Sequence, residues 1–186
     1  MYKPTVADER TTIKEMIATQ LAAIRAAAYG LTDEQLRSRP LASALSISGI
    51  IKHSAFVLHT YLAVAASAPR QPREKFFESF ALDEDESFNE VLADFDRVTE
   101  EYLSLYDALD PGQKVQIGPR PWYGENEPTT ASLRWGMLHH LEEFARHAGH
   151  ADLIREQLDG AKAPELLLAV EGLPGNSFVQ PWSGRK

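Results

Sequence analysis

Apolar residues recur every three or four positions in four long segments of the chain, a spacing typical of amphipathic helices. The segments run from about residue 7 to 29, 46 to 66, 87 to 110 and 129 to 158. A short extra helix is predicted between the first two, because Thr32 and Gln35 have the spacing of a capping box before a proline. No segment predicts a convincing sheet.

Long connections separate these helices. The stretch from residue 69 to 86 is charged and contains three phenylalanines, which we expect to pack as a partly ordered connection. Residues 112–128 are rich in Gly and Pro, and the tail at 161–186 is predicted to be irregular. Four long helices around one core predict an all-α four-helix bundle. We expect a single domain over residues 1–186, with its core at about 7–160.

The composition excludes several classes of protein and of site. The net charge of −8 argues against a nucleic-acid partner or an anionic membrane surface. No apolar run approaches the ~18 residues of a membrane-spanning helix, and the N-terminus has no apolar signal region. We therefore expect a cytoplasmic protein. The chain contains no cysteine, so a metal ion would have to be held by His, Asp or Glu.

Four of the six histidines fall in the stretch HHLEEFARHAGH of the fourth predicted helix: His139, His140, His147 and His150. On a helix they share a wedge of roughly 100° with Glu143. A solvated face of an acidic protein would carry Lys and Glu, and a core face Leu and Ala. Imidazole and carboxylate together favour a divalent metal. The strongest sign of a metal site is the pair Glu143 and His147, whose spacing of four lets both side chains reach one ion.

A third ligand has to come from another helix, and His53 is the best candidate. It lies midway along the second predicted helix among apolar residues. A lone histidine there is more often an ordinary core residue, but the histidine-rich face of the fourth helix favours ligation. His59 lies about 120° away from His53 around the same helix, so the two cannot easily share a site.

Ordinary alternatives stay open for the other residues near this face. The ordinary alternative for His140 is simple exposure to solvent, and that for His150 is a position behind the ligands or at the surface. Arg146 and Arg155 are expected to form surface ion pairs. Three aromatic residues are candidates for lining the mouth of the site, with loop packing as an equal alternative: Trp122, Tyr123 and Trp182.

Three stretches resemble the DinB-like (YfiT-like) superfamily of helical-bundle metalloproteins, which includes mycothiol-dependent maleylpyruvate isomerases and bacillithiol and mycothiol transferases. They are SISGIIKHSAFVLHTYL, the third helix and LRWGMLHHLEEFARHAGHADLIRE, within about residues 7–160. In this family one histidine comes from the second helix, and a His-x-x-x-His or Glu-x-x-x-His pair comes from the last. The resemblance therefore implies a bundle of DinB type with His53, Glu143 and His147 as metal ligands.

The resemblance also implies a reaction class. The expected activity is that of a metal-dependent S-transferase or isomerase that uses a low-molecular-weight thiol, such as mycothiol or bacillithiol, on a small electrophile. Zinc is the first choice of metal, with nickel, iron and manganese as alternatives, and His150 is the candidate catalytic residue. We expect a small-molecule substrate, no nucleic-acid or membrane partner, and a homodimer.

Two departures from the family pattern leave the substrate open. Leu58 and His59 stand where the family often has an acidic residue and then a tryptophan. The third helix and the tail also lack a basic cluster for an anionic thiol.

Other functions fit the same residues. Two histidines and one carboxylate also describe the facial triad of non-haem iron oxygenases, although the resemblance to a bundle ranks that class lower. A non-catalytic metal-binding or stress-response bundle would bind metal without thiol-dependent turnover. A purely structural bundle, with its histidines as buried hydrogen-bonding groups, would bind no metal.

Overall fold

Four long helices form the body of the computed structural model, which describes residues 4, 6–66, 68–69, 71–120 and 123–184. Short helices and a small hairpin lie in the connections. The elements in chain order are α1 (Glu9–Ala26), α2 (Asp33–Arg37), α3 (Ile47–Ala65), α4 (Arg73–Glu78), α5 (Phe88–Leu105), β1 (Lys114–Ile117), β2 (Thr129–Ser132), α6 (Leu133–Asp159) and α7 (Ala163–Val170). The all-α prediction is confirmed, with this hairpin as a small addition.

The four long helices are arranged as two closely packed pairs, α1 with α6 and α3 with α5. Their apolar faces meet in a shared core, whose fully buried members include Ile17, Ile24, Ile51, Leu58, Phe95, Val98 and Phe144. Contact between α3 and α6 is sparser because these helices belong to different pairs. The side chains that face each other across α3 and α6 therefore lie where the two pairs meet.

The helix ends follow local capping chemistry. The predicted capping box at α2 is present. The Thr32 hydroxyl accepts from the backbone amide of Gln35, and the side-chain oxygen of Gln35 accepts from the backbone amide of Thr32. Ser46 caps the start of α3, and its Oγ accepts from the backbone amide of Gly49 at 3.1 Å. Gly160 caps the end of α6 and has the left-handed φ of +80° that glycine adopts without strain.

The connections contain more regular structure than predicted. Strands β1 and β2 pair antiparallel from Lys114↔Ser132 to Ile117↔Thr129, so the fourth long helix begins at residue 133. The β-branched threonines of β2 favour a strand over the first turn of a helix. Part of the C-terminal tail forms α7, with Leu166 and Leu168 buried, and the described residues that follow α7 are irregular as predicted.

Helix α3 is the one helix of the described residues that is long and apolar enough to cross a membrane by length and composition. It is also a core helix, since Ile47, Ile51 and Leu58 on it are fully buried. Its apolar character is explained by packing inside the bundle.

Arg155 of α6 is buried, with 1% of its surface exposed, and so is not the surface residue that its charge predicted. Its guanidinium donates to the Ala27 carbonyl at 2.8 Å and to the Tyr29 carbonyl at 2.6 Å, just beyond the end of α1. It also forms an ion pair with Asp159 at 2.8 Å. One side chain thus joins the end of α1 to α6 and satisfies carbonyls that the end of a helix leaves free.

Candidate metal centre

His53, Glu143 and His147 meet between α3 and α6. One ligand atom from each lies within 4.8 Å of the other two. A Glu143 carboxylate oxygen, Oε1, is 3.2 Å from His147 Nε2 and 3.9 Å from His53 Nε2. The spacing of four along α6 places Glu143 and His147 on one face, as predicted, and the bundle packing brings His53 opposite them.

These three side chains fit a divalent transition metal. Two imidazole nitrogens and one carboxylate oxygen suit zinc and its neighbours in the first transition row. The site is closed on one side and open on the other: the His53 side chain is 4% exposed, His147 13% and Glu143 33%. Three protein ligands with solvent access on one side are typical of catalytic sites, whereas structural zinc sites take four protein ligands.

The Glu143 carboxylate is held in its charged form. Its hydrogen bond with His147 is the largest cause, and it holds the pKa of Glu143 well below its usual range. Burial opposes this shift but does not outweigh it. An anionic oxygen is therefore available to a cation at neutral pH.

His53 is enclosed by an aromatic cluster of Phe56, Phe76 and Phe80. The Phe80 ring stacks on the imidazole with 4.1 Å between centroids, and the Phe76 ring presents its edge at 5.5 Å. His53 Nδ1 is 2.8 Å from the Ser79 hydroxyl, on the side of the ring away from Glu143. Contacts from the segment 76–80 therefore fix the orientation of the imidazole on several sides.

The remaining histidines of α6 separate into different surroundings. The His150 ring lies 6.3 Å from that of His147, and the Nδ1 atoms of both are buried without a hydrogen-bond partner among the described residues. His139 is exposed and stacks on Trp135 at 5.2 Å. His59, on α3, is bonded to Asp94 at 2.8 Å and takes no part in the site, as predicted.

His140 is buried in the core, so the alternative that it is simply exposed is wrong. Its Nδ1 accepts from the Tyr102 hydroxyl at 2.6 Å, and that hydroxyl accepts from Tyr106 at 2.5 Å. Burial, with a smaller effect of His139, lowers the pKa of His140 to about 3. The imidazole is therefore neutral in the folded protein at any pH near neutrality.

This burial predicts an acid-dependent loss of stability. Between pH ~6.5 and ~3 the unfolded chain binds a proton at His140 that the folded chain does not, so stability falls as the pH falls through that window. Between pH 7 and 5 we expect the wild type to lose about 2 kcal/mol more of its free energy of unfolding than His140→Gln, at about 1.4 kcal/mol per pH unit.

Urea denaturation at both pH values measures this difference. His139→Gln, which changes the exposed neighbour, serves as the control and should keep the wild-type pH dependence. Equal pH dependence in the wild type and His140→Gln would contradict the assignment.

Of the three aromatic residues proposed for the mouth of the site, Tyr123 is 73% exposed and Trp122 lies outside the described residues. Trp182 lies beside Arg155, whose guanidinium carbon is 6.0 Å from the indole centroid. Arg155 is eight residues beyond His147, or about 12 Å along the helix axis. Trp182 therefore packs towards the far end of α6 and not against the ligands.

A cavity of about 400 Å³ lies between α3, α4 and α5, next to residues that contact His53. Phe56 and Ser79, which both contact His53, form part of its wall together with Lys52, His59 and Asp94. None of the three candidate ligands lines this cavity. It borders the site through the residues that support His53.

A family model for mycothiol-S-transferases matches residues 12–160, which is most of the chain. The chain belongs to the mycothiol-S-transferase family. The matched region contains all three candidate ligands and the residues around His53, and it agrees closely with the span over which the sequence resembles the DinB-like superfamily. The predicted family is confirmed.

Solved structures share the fold of this family member. YfiT from Bacillus subtilis, described as a probable metal-dependent hydrolase with an unusual four-helix bundle topology, matches with a TM-score of 0.61 at 18% identity, over 84% of this chain and 93% of that one. A conserved protein from Enterococcus faecalis matches with a TM-score of 0.55 at 12% identity, over 82% of this chain and 98% of that one. No curated protein sequence matches significantly.

Neither Ser79 nor the contacts of Phe76 and Phe80 with His53 at the candidate metal centre are predictable from the local sequence pattern. The sequence predicts only that Phe76 and Phe80 pack within a connection, and it gives no signal at Ser79. Helix α4 has six residues, too few for a hydrophobic period to be recognised. The one available sign was the cluster of phenylalanines in an otherwise charged stretch.

Proposed function

We propose that this family member is a metal-dependent enzyme that uses a low-molecular-weight thiol, with mycothiol as first choice, for S-transfer to, or isomerisation of, a small electrophile. The observation that carries the proposal is the meeting of His53, Glu143 and His147 within 4.8 Å on two different helices. It is supported by the family to which the chain belongs.

The three ligands have distinct roles in this proposal. Glu143 supplies the negative charge, and its low pKa keeps that charge at neutral pH. His53 and His147 supply neutral nitrogens, and the aromatic cluster around His53 excludes water from that side. A divalent metal held there would lower the pKa of a thiol that reaches the open side.

The chain has no cysteine, so the sulfur nucleophile of the transfer step comes from the external thiol. The thiol sulfur forms a bond to the electrophilic carbon, and the bond from that carbon to its leaving group breaks with the electron pair. The leaving group takes up a proton, so that thiol and electrophile give a thioether and a protonated leaving group. For isomerisation the sulfur adds to the substrate and is expelled again after rotation about the bond it has loosened.

His150 is the proposed proton carrier for this step. It lies one turn beyond His147 on α6, with ring centroids 6.3 Å apart, and it is partly exposed. An imidazole in that position can take the thiol proton and return it to the leaving group. Zinc remains our first choice of metal, and a cytoplasmic homodimer remains our prediction for the assembly.

A metal-binding bundle without turnover is the second candidate function. It is favoured by one observation, that the 400 Å³ cavity beside His53 is lined by none of the three ligands. This candidate predicts bound metal and no consumption of thiol.

The test combines metal content with thiol consumption. Tag-free wild-type protein, His53→Ala and His147→Ala are analysed by plasma mass spectrometry, and each is assayed with mycothiol, bacillithiol or glutathione and a haloalkyl fluorogenic electrophile. We expect about one equivalent of metal in the wild type, its loss in both variants, and turnover with mycothiol in the wild type alone.

Two outcomes would contradict the proposal. Absence of metal after reconstitution with zinc, nickel, iron and manganese would refute the metal centre and favour a structural bundle. Metal without turnover of any of the three thiols would refute thiol-dependent S-transfer and favour the second candidate.

A further inference from the structure

The Ser79 hydroxyl lies next to His53 Nδ1 and makes two short polar contacts. Its Oγ is 2.6 Å from the Phe76 carbonyl oxygen and 2.8 Å from His53 Nδ1. Two oxygens this close need a hydrogen between them, and the carbonyl has none to give. The Ser79 hydroxyl therefore donates to Phe76, and its single hydrogen is used.

The second contact must then be donated by the histidine. With the Ser79 hydrogen directed at Phe76, the 2.8 Å contact is a hydrogen bond from His53 Nδ1–H to Ser79 Oγ. An imidazole that binds a metal is neutral and carries one N–H, so with Nδ1–H bonded to Ser79 the lone pair available to a metal is on Nε2. Nε2 is the nitrogen that faces Glu143, at 3.9 Å.

We propose that Ser79 is a positioning residue that holds His53 in the Nδ1–H tautomer, so that its Nε2 lone pair faces the metal ligands of α6. The inference rests on the proposed metal-binding function of His53. Hydrogen bonds of this kind orient ligand histidines, and their loss costs roughly 10–100-fold in metal affinity. Without Ser79, Nε2 is free to carry the hydrogen and donate it towards Glu143, which removes the lone pair from the site.

A close approach of two backbone segments places Ser79 there. The Phe80 carbonyl oxygen lies so close to α3 that a Cβ at position 49 would overlap it, and Gly49 has none. Gly49 is one turn before His53 on the same face of α3. The glycine thus lets the segment 79–80 lie directly against the imidazole, with Ser79 at its Nδ1 and the Phe80 ring stacked on it.

The chain offers a matched control for Ser79. Ser38 ends α2 as Ser79 ends α4, and its hydroxyl donates to the carbonyl three residues earlier, that of Gln35, at 2.8 Å. No histidine contact of Ser38 is present among the described residues, so Ser38→Ala removes the same local bond without touching the site.

The experiment compares Ser79→Ala, Ser79→Thr and Ser38→Ala with the wild type. Nitrogen-15 NMR of the metal-free proteins identifies the tautomer of His53, and competition with a chromophoric chelator gives the dissociation constant for zinc. We expect Nδ1–H in the wild type, Ser79→Thr and Ser38→Ala, and a shift towards Nε2–H in Ser79→Ala. The dissociation constant should rise about 10–100-fold in Ser79→Ala and stay within about 2-fold of wild type in Ser38→Ala.

The two measurements separate this inference from the proposed function. An Nε2–H tautomer in the wild type, or an unchanged tautomer in Ser79→Ala, would overturn the role of Ser79 whether or not zinc binds. Failure of the wild type to bind any of zinc, nickel, iron and manganese would refute the metal centre, while the tautomer would still report on Ser79. A tautomer shift with unchanged zinc affinity would also overturn the inference.

Gly49→Ala provides a second route to the same contact, since a methyl group there must displace the Phe80 backbone. We expect the His53 tautomer and the zinc dissociation constant to change in the same direction as in Ser79→Ala. Gly149→Ala is its control, because a Cβ at that helical glycine would meet no atom within 4 Å. Equal behaviour of the two glycine variants would contradict the proposed arrangement.

Discussion

Glu143→Gln is expected to weaken zinc binding by more than ~100-fold, beyond the loss that follows from removing an outer hydrogen bond to a ligand. Glu143 supplies the one negative charge among the three candidate ligands and lies between the two histidines, 3.2 Å from one and 3.9 Å from the other. Glutamine has the same shape but a neutral oxygen, which is a much poorer partner for a divalent cation.

Competition with a chromophoric chelator at pH 7 measures this effect, and circular dichroism checks that the helices are retained. Glu142→Gln is the matched control, since Glu142 is the neighbouring residue on α6 and is exposed. It should bind zinc as the wild type does. A dissociation constant for Glu143→Gln within about 3-fold of the control would show that the metal, if bound, is held elsewhere.

Arg155→Met is expected to lower the free energy of unfolding by about 3–5 kcal/mol, the range found when one partner of a buried ion pair is removed. The change leaves Asp159 without its cation, and it leaves the carbonyls of Ala27 and Tyr29 without the donor that satisfies them. For a protein of this size the loss corresponds to a fall in Tm of roughly 6–20 °C.

Urea denaturation followed by circular dichroism measures this loss, with Arg146→Met as control because Arg146 is an exposed arginine of the same helix. The control should stay within about 0.5 kcal/mol of wild type. A comparably small effect for Arg155→Met would mean that the polar network around it contributes little to stability.

The candidate metal ligands were predictable because each depends on a local pattern. Glu143 and His147 are one turn apart on a helix whose period is plain from the sequence, and His53 interrupts an apolar helix face. In a four-helix bundle, the helix faces that carry these three residues can be brought together in few arrangements. The long helices were predicted for the same reason, and the predicted limits at about residues 46 and 158 agree with the start of α3 and the end of α6, which Ser46 and Gly160 cap.

Surroundings decided by distant residues were not predictable. The helical period places His140 on the same face as the other histidines of α6. The burial of His140 depends on Tyr102, which lies 38 residues earlier in the chain. Arg155 is polar by type, and only the end of α1, more than 120 residues away, accounts for its burial. Ser79 follows a helix too short to show a period, and its role appears only when the chain returns to α3.

The division of the ligands between two helix pairs has a consequence for variants far from the site. Glu143 and His147 move together, because both belong to α6, and their separation is fixed by one turn of helix. His53 moves with α3, which packs mainly on α5. Sliding of one pair along the other therefore alters the distance from His53 to Glu143 and leaves that from Glu143 to His147 unchanged. Substitutions in the core between the pairs, for example at Phe144 or Ile51, should therefore change the distance from His53 to Glu143.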